Sequence, residues 1–268
     1  MFKLFRPVVT AVLTGATTMT VLTLGALMPL GAGAQTATQS AVVTVAVASN
    51  FTAPMKLIAT EFEQDTGYQV ALSFGGTGSF YAQIKNGAPF DVFLAADTRT
   101  PARLVQEGLA LSDSRFTYAV GRLVLWSNNP DLVDGTDTIL TSTDINRIAI
   151  ADPKLAPYGA AAQQVIERLG LTQALQPKLV QGKNISQAYQ FVASGNAQIG
   201  FVALSQVFAN GKLKEGSGWI VPKQDHTPID QDAVLLIKGQ GNSAAHALLE
   251  YLKTDKPRQV IQSYGYQY

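Results

Sequence analysis

Four times in this chain a short run of small, polar or glycine residues stands between an apolar, strand-like stretch and a helical pattern. The runs are Ser49-Asn50-Phe51-Thr52, Gly75-Gly76-Thr77-Gly78-Ser79, Ala156-Pro157-Tyr158-Gly159 and Lys183-Asn184-Ile185-Ser186. A strand that stops in such a turn and restarts as a helix belongs to a βαβ series, so the chain is committed to α/β architecture. The first N–H groups of a helix lack partners, and its peptide dipoles put their positive end there. Each run is therefore a potential anion site. Taken singly, each is also an ordinary cap or turn. Their joint placement after four strands is what points to a ligand.

Residues 42–48 are β-branched and apolar, as a buried parallel strand should be. Thr52 is placed to cap the following helix, with Pro54 near its first position. Met55, Ile58, Ala59 and Phe62 recur at helical spacing until Gly67. Strands at 69–74 and 91–96 and helices around Phe80–Ile84 and at 99–107 continue the series. Residues 118–127 then form a longer apolar run with no glycine-rich turn after it. It reads as one long strand joining two βα series. The second series has strands at 147–151, 178–180 and 198–203. Its helices lie at 160–169, 187–193 (capped by Ser186) and 204–209. Strands at 218–221 and 233–237 and helices at 244–253 and 257–264 complete the pattern.

The expected fold is two doubly wound α/β lobes with a ligand cleft between them, lobe 1 from 41–121 and 231–268 and lobe 2 from 122–230. Ligands in open α/β sheets sit beyond the carboxyl ends of the strands. The four runs would face each other across the cleft, two from each lobe. The donors expected there are Ser49, Asn50, Thr77, Tyr158 and Ile185. Ser49 and Thr77 bring hydroxyls, Asn50 an amide, Tyr158 an N–H or its phenol, and Ile185 only its N–H. Lys183 and Asp152 read as solvated surface charges, and Asp91 and Asp97 as a strand edge and a helix cap.

Other chemistry finds little support. The formal charge of +1 over 268 residues argues against polyanion binding. There is no Cys, so thiol catalysis and Cys-ligated metals are excluded. The two histidines, His226 and His246, are far apart and read as surface residues. No nucleophile elbow, Walker A run, dinucleotide fingerprint or zinc spacing occurs. Lys3 and Arg6, an uncharged apolar run from Val8 to Leu30 and the small-x-small end Ala32-Gly33-Ala34 have the order of a secretory signal peptide. Residues 1–34 are expected to be this leader, cleaved after about Ala34, which places the protein in the periplasm. A retained membrane anchor is the alternative. No later segment is long and apolar enough to span a bilayer.

The stretches Val45-Ala46-Val47-Ala48-Ser49-Asn50-Phe51, Gly87-Ala88-Pro89-Phe90-Asp91-Val92-Phe93, Ala151 to Gly159 and Gly200-Phe201-Val202-Ala203 together resemble the periplasmic molybdate-binding proteins of ABC-type uptake systems. The resemblance runs in order from about Val43 to the C-terminus. It implies the two-lobed type II binding-protein fold and capture of molybdate or tungstate by neutral hydrogen bonds, without direct metal ligands, cofactor or catalysis. It implies a membrane permease as partner, no nucleic acid, and a monomer. By the same resemblance Ser49 matches a contacting serine. Thr77, in Gly76-Thr77-Gly78, stands where the family carries a second one. Tyr158 and Ile185 match backbone donors. Many family members have a tyrosine where this chain has Ala203, and the Tyr158 phenol is expected to take its place. The alternatives are a binding protein of the same build for sulfate or another oxyanion, an iron(III) binder, an exported enzyme acting on a small anionic substrate, and a surface-interaction module.

Overall fold

The computed structural model describes residues 41–268. The expected leader lies outside the described residues. The chain runs through β1 (Val42–Ala48), a 3-10 turn at Ser49–Phe51, α1 (Thr52–Thr66), β2 (Gln69–Gly75), α2 (Thr77–Lys85), β3 (Val92–Leu94), α3 (Arg99–Gln106) and β4 (Phe116–Gly121). It crosses into β5 (Leu123–Ser127), β6 (Ile148–Ala151), α4 (Pro157–Arg168), α5 (Thr172–Leu175), β7 (Leu179–Gly182), α6 (Ile185–Ala193), β8 (Ile199–Ala203) and α7 (Leu204–Val207). A small ribbon of β9 (Phe208–Ala209) and β10 (Lys212–Leu213) precedes β11 (Ser217–Ile220). The chain then returns through β12 (Ile229–Leu235), α8 (Ser243–Tyr251) and α9 (Asp255–Ser263).

Two five-stranded sheets result, ordered β2-β1-β3-β12-β4 and β11-β5-β8-β6-β7. In the first, β1 lies parallel to β2 and β3, and β12 runs antiparallel to β3 and β4. In the second, β6 lies parallel to β7 and β8, and β5 runs antiparallel to β8 and β11. Each sheet is covered by helices, because its strands are apolar on both faces. On β1, Val43, Val45 and Val47 pack with Phe51, Met55, Ile58 and Phe62, whereas Ala46 joins Phe80 and Phe93 on the opposite face. Burying a side chain such as Met55, Ile58 or Phe62 contributes roughly 1.5–3 kcal/mol. That burial, more than intrinsic propensity, holds α1 in place. Among the described residues no helix is long and apolar enough to cross a membrane.

Four local expectations change. The run at 118–127 is two strands in two different sheets, β4 and β5, with Arg122 crossing between them. Both flanking segments are apolar and buried, and the short Gly121-Arg122 interruption between them does not by itself reveal the switch. A Cβ on Gly121 would overlap the Tyr158 hydroxyl, so this strand end needs glycine. Helix α6 is capped by Asn184, whose Oδ1 accepts from the Gln187 N–H at 3.0 Å, rather than by Ser186. Thr52 does not cap α1. Its hydroxyl donates to the Ser49 carbonyl at 2.8 Å, because the 3-10 turn has already begun the helix. The helix expected at 204–209 stops at Val207, and Phe208 and Ala209 pair in the ribbon.

Candidate functional site

All four runs meet. Ser49 and Asn50 follow β1, Gly75, Gly76 and Thr77 lie between β2 and α2, Pro157 and Tyr158 open α4, and Asn184 and Ile185 open α6. Together with Ala48, Ala96 and Ala156 they line one small, tightly closed cleft between the sheets, with free room of only about 10 Å³. Ser49, Asn50, Thr77, Tyr158 and Ile185 are all buried here, between 1% and 6% exposed. No side chain in the lining carries a formal charge. Lys183 is exposed and Asp152 half-buried, and both stay out of the lining.

The donors differ in how they are held. The Thr77 hydroxyl accepts from the Ala96 N–H at 3.0 Å, which leaves its own proton to donate. The Ser49 hydroxyl has no protein partner among the described residues, so both its proton and its rotamer are available. Tyr158 and Ile185 are at the first turns of α4 and α6, where N–H groups have no intrahelical acceptor. Four helix starts aimed at one cavity make it electropositive without a cation.

Two expected side-chain donors point elsewhere. The Asn50 amide does not face the cleft: its Nδ2 donates to Gln231 Oε1 at 2.8 Å and to the Tyr266 hydroxyl at 2.9 Å. What Asn50 offers the cleft is backbone. The Tyr158 phenol accepts from Gln231 Nε2 at 3.1 Å and faces Tyr266, so it does not stand in for a tyrosine at Ala203. Burial pushes the phenols of Tyr118, Tyr158 and Tyr266 well above the ordinary tyrosine range, and they remain neutral donors and acceptors. Sequence reasoning missed Gln231, Tyr266 and Ser205. Each meets its partner from far along the chain, and no local pattern marks it.

The glycines of the second run have a use the sequence did not suggest. A Cβ on Gly78 would lie 2.9 Å from the Leu155 carbonyl oxygen and 3.2 Å from its Cα. A Cβ on Gly76 would lie 3.2 Å from the Asn184 Cβ. Gly78 N–H donates to Leu155 O at 3.1 Å. Bare backbone here lets the second lobe approach the first, with Ser186 Oγ reaching Ser49 O at 3.3 Å and Ser205 Oγ reaching Asn50 O at 2.8 Å. The lobes are thus closed on the cleft.

A larger hollow, of about 310 Å³, lies beside the cleft and is lined in part by Asp97, Arg99, Gln164 and Asp230. An anion there would meet carboxylates, which makes it a poor alternative site. Asp97 also caps its neighbouring turn by accepting from the Thr100 N–H at 2.8 Å, and burial raises its pKa. His226 and His246 hydrogen-bond backbone carbonyls on the surface. Among the described residues no group of acidic, histidine or cysteine side chains could hold a metal ion.

Two doubly wound lobes closed on a cleft of uncharged donors define a two-lobed solute-binding protein. The profile of the family described as "Bacterial extracellular solute-binding protein" matches residues 43–267. Molybdate-binding protein ModA of Azotobacter vinelandii is 59% identical, covering 88% of this chain and 94% of its own length. Molybdate-binding protein ModA of Rhodobacter capsulatus is 51% identical, covering 94% and 95%. The solved structure of the Azotobacter vinelandii periplasmic molybdate-binding protein superposes with a TM-score of 0.82 at 40% identity, over 84% of this chain and 99% of that one. The chain belongs to the bacterial extracellular solute-binding proteins and, within them, to the molybdate-binding protein family.

Proposed function

We propose that this protein captures molybdate or tungstate outside the cytoplasm and hands it to the membrane permease of an ABC transporter. The observation that carries the reading is the convergence of four helix starts, two from each lobe, on a small buried cleft with no charged side chain. The high identity to molybdate-binding proteins supports the same ligand. The donors are the hydroxyls of Ser49 and Thr77 and the backbone N–H groups of Asn50, Tyr158 and Ile185. The oxyanion is held whole, through its oxygens, and the metal takes no protein ligand. No cofactor is needed, and one chain supplies the entire site, so the working unit is a monomer. Export through a leader ending near Ala34 places it in the periplasm.

Selectivity follows from the donor set. A hydrogen bond to a charged group contributes roughly 1.5–3 kcal/mol, so a handful offsets the cost of stripping water from a dianion. Free inorganic phosphate, unlike its esters, keeps at least one proton throughout the neutral pH range, because its last ionisation lies far into the alkaline range. A cleft without a carboxylate leaves that proton without a strong acceptor, which is costly when buried. Sulfate carries no such proton and has to be rejected by size. The anion favours the closed form because only closure presents both halves of the donor ring.

Calorimetric titration with molybdate, tungstate, sulfate and phosphate tests the reading. Tight one-to-one binding of molybdate and tungstate, with sulfate and phosphate much weaker, is expected. Preference for sulfate, or no molybdate binding at all, overturns it.

A further inference from the structure

We propose that Gln231 is a positioning residue for anion capture, a neutral clamp that ties Asn50 of one lobe to Tyr158 of the other and sets how long the closed form lasts. The proposal rests on the cleft being the oxyanion site. Gln231 has no exposed surface. Its Oε1 accepts from Asn50 Nδ2 at 2.8 Å and lies 3.0 Å from the Tyr118 hydroxyl. Its Nε2 donates to the Tyr158 hydroxyl at 3.1 Å. Asn50 and Tyr158 both line the cleft, yet their side chains meet at Gln231 instead. The clamp therefore grips the two lobes behind the ligand without touching it.

The fold aims this side chain deliberately. The ladder between β12 and β4 slips between Gln231 and Asp232, where β4 carries Tyr118 as an extra residue opposite no partner. Such a bulge breaks the in–out alternation and re-aims side chains. Tyr118, the extra residue on β4, turns its hydroxyl to Gln231, which is buried with the rest of Gln231–Leu235 on β12. An amide suits the position because it accepts on one atom and donates on the other while staying neutral.

The network continues through Tyr266, which accepts from Asn50 Nδ2 at 2.9 Å and lies 3.0 Å from Ser205 Oγ. Ser205 donates to the Asn50 carbonyl at 2.8 Å from the second lobe. A buried, extensively hydrogen-bonded network of this kind is rigid. Three of its bonds, Gln231 to Tyr158, Ser205 to Asn50 and Tyr266 to Ser205, join groups in different lobes and must break when the cleft opens. They stabilise the closed form while contributing nothing to the open form that the anion enters. Dissociation should respond to their loss, and association should not.

The experiment measures association by rapid filtration and dissociation by chasing radioactive molybdate, in the wild type, Gln231→Leu and Ser205→Ala. Dissociation about tenfold or more faster in Gln231→Leu, about 1.4 kcal/mol per tenfold, is expected. At least a threefold rise is expected in Ser205→Ala, with association within twofold in both. Dissociation unchanged in the folded variants, or association slowed as much as dissociation is speeded, overturns the clamp. If Gln231→Leu fails to fold, Ser205→Ala decides alone by the same criteria. Wild-type protein that takes no molybdate refutes the site itself, whereas normal wild-type capture with unaltered variants refutes only the clamp.

Discussion

Removing the hydroxyls of Ser49 and Thr77 separates ligand contact from structural support. The two groups are buried to nearly the same degree, at 6% and 2% exposed, but among the described residues only the Thr77 hydroxyl has a protein partner. Ser49→Ala deletes a donor that holds nothing else. Its affinity for molybdate should fall by one charged hydrogen bond, roughly 1.5–3 kcal/mol, or about 10- to 150-fold. Its thermal unfolding without ligand should be unchanged. Thr77→Val deletes a similar donor and also strips the Ala96 N–H of its acceptor at 3.0 Å. A buried N–H left unpaired costs about 1–3 kcal/mol. Its affinity should fall over the same range, and its melting temperature should drop by about 2–4 °C per kcal/mol lost. Thr77→Ser keeps the hydroxyl and should recover most of both. Calorimetry gives the affinities, and ligand-free scanning calorimetry gives the stabilities. Wild-type molybdate affinity in both Ser49→Ala and Thr77→Val would refute the assignment of these hydroxyls to the anion. An equal loss of stability in both would refute the difference drawn between them.

Three further outcomes follow from the geometry. Gly78→Ala places a methyl against the Leu155 backbone, which cannot swing aside. Molybdate should then bind at least about tenfold more weakly and no longer shrink the radius of gyration in solution scattering, while ligand-free stability stays near wild type. Asn184→Ala removes the cap of α6 and should cost about 0.5–2 kcal/mol in urea unfolding; no change in the midpoint would show that the cap is idle. The third outcome concerns alkaline pH. Tyr118, Tyr158 and Tyr266 have phenols raised first by burial, so below pH about 10, the unfolded value, they are neutral in both states. Above it the unfolded chain releases protons that the folded chain retains, so stability is lost as pH rises from about 10 through the folded values. Affinity should be flat between about pH 6 and 9, because Tyr158 is the one titratable side chain in the lining; a titration in that window on ligand-saturated protein would contradict this.

Much of the fold was legible because its signals are local. The β-branched run of β1, the glycine stop at Gly67 and the spacing of Met55, Ile58 and Phe62 each report a backbone preference or a buried face within a few residues. The four helix starts were legible for the same reason, and with them the list of cleft residues. Helix caps were less so, since Asn184 and Ser186 are both good capping types. Only the path of the chain chose between them. The division of residues 118–127 between two sheets was hidden because its only local marks, Gly121 and Arg122, are two residues between apolar, buried segments and do not break the run.

The sequence by itself determined that donor-bearing helix starts would exist, since capping groups, glycine turns and unpaired N–H groups are set by neighbours along the chain. Tertiary structure decided which atoms of those residues face the ligand. Asn50 turns its amide away because Gln231 and Tyr266, 181 and 216 residues distant, meet it there. The Tyr158 phenol turns away because Gly121 leaves it room and Gln231 a partner. Partners that far apart in sequence are brought together only by the packing of whole sheets, and the direction of a side chain follows the partner it finds.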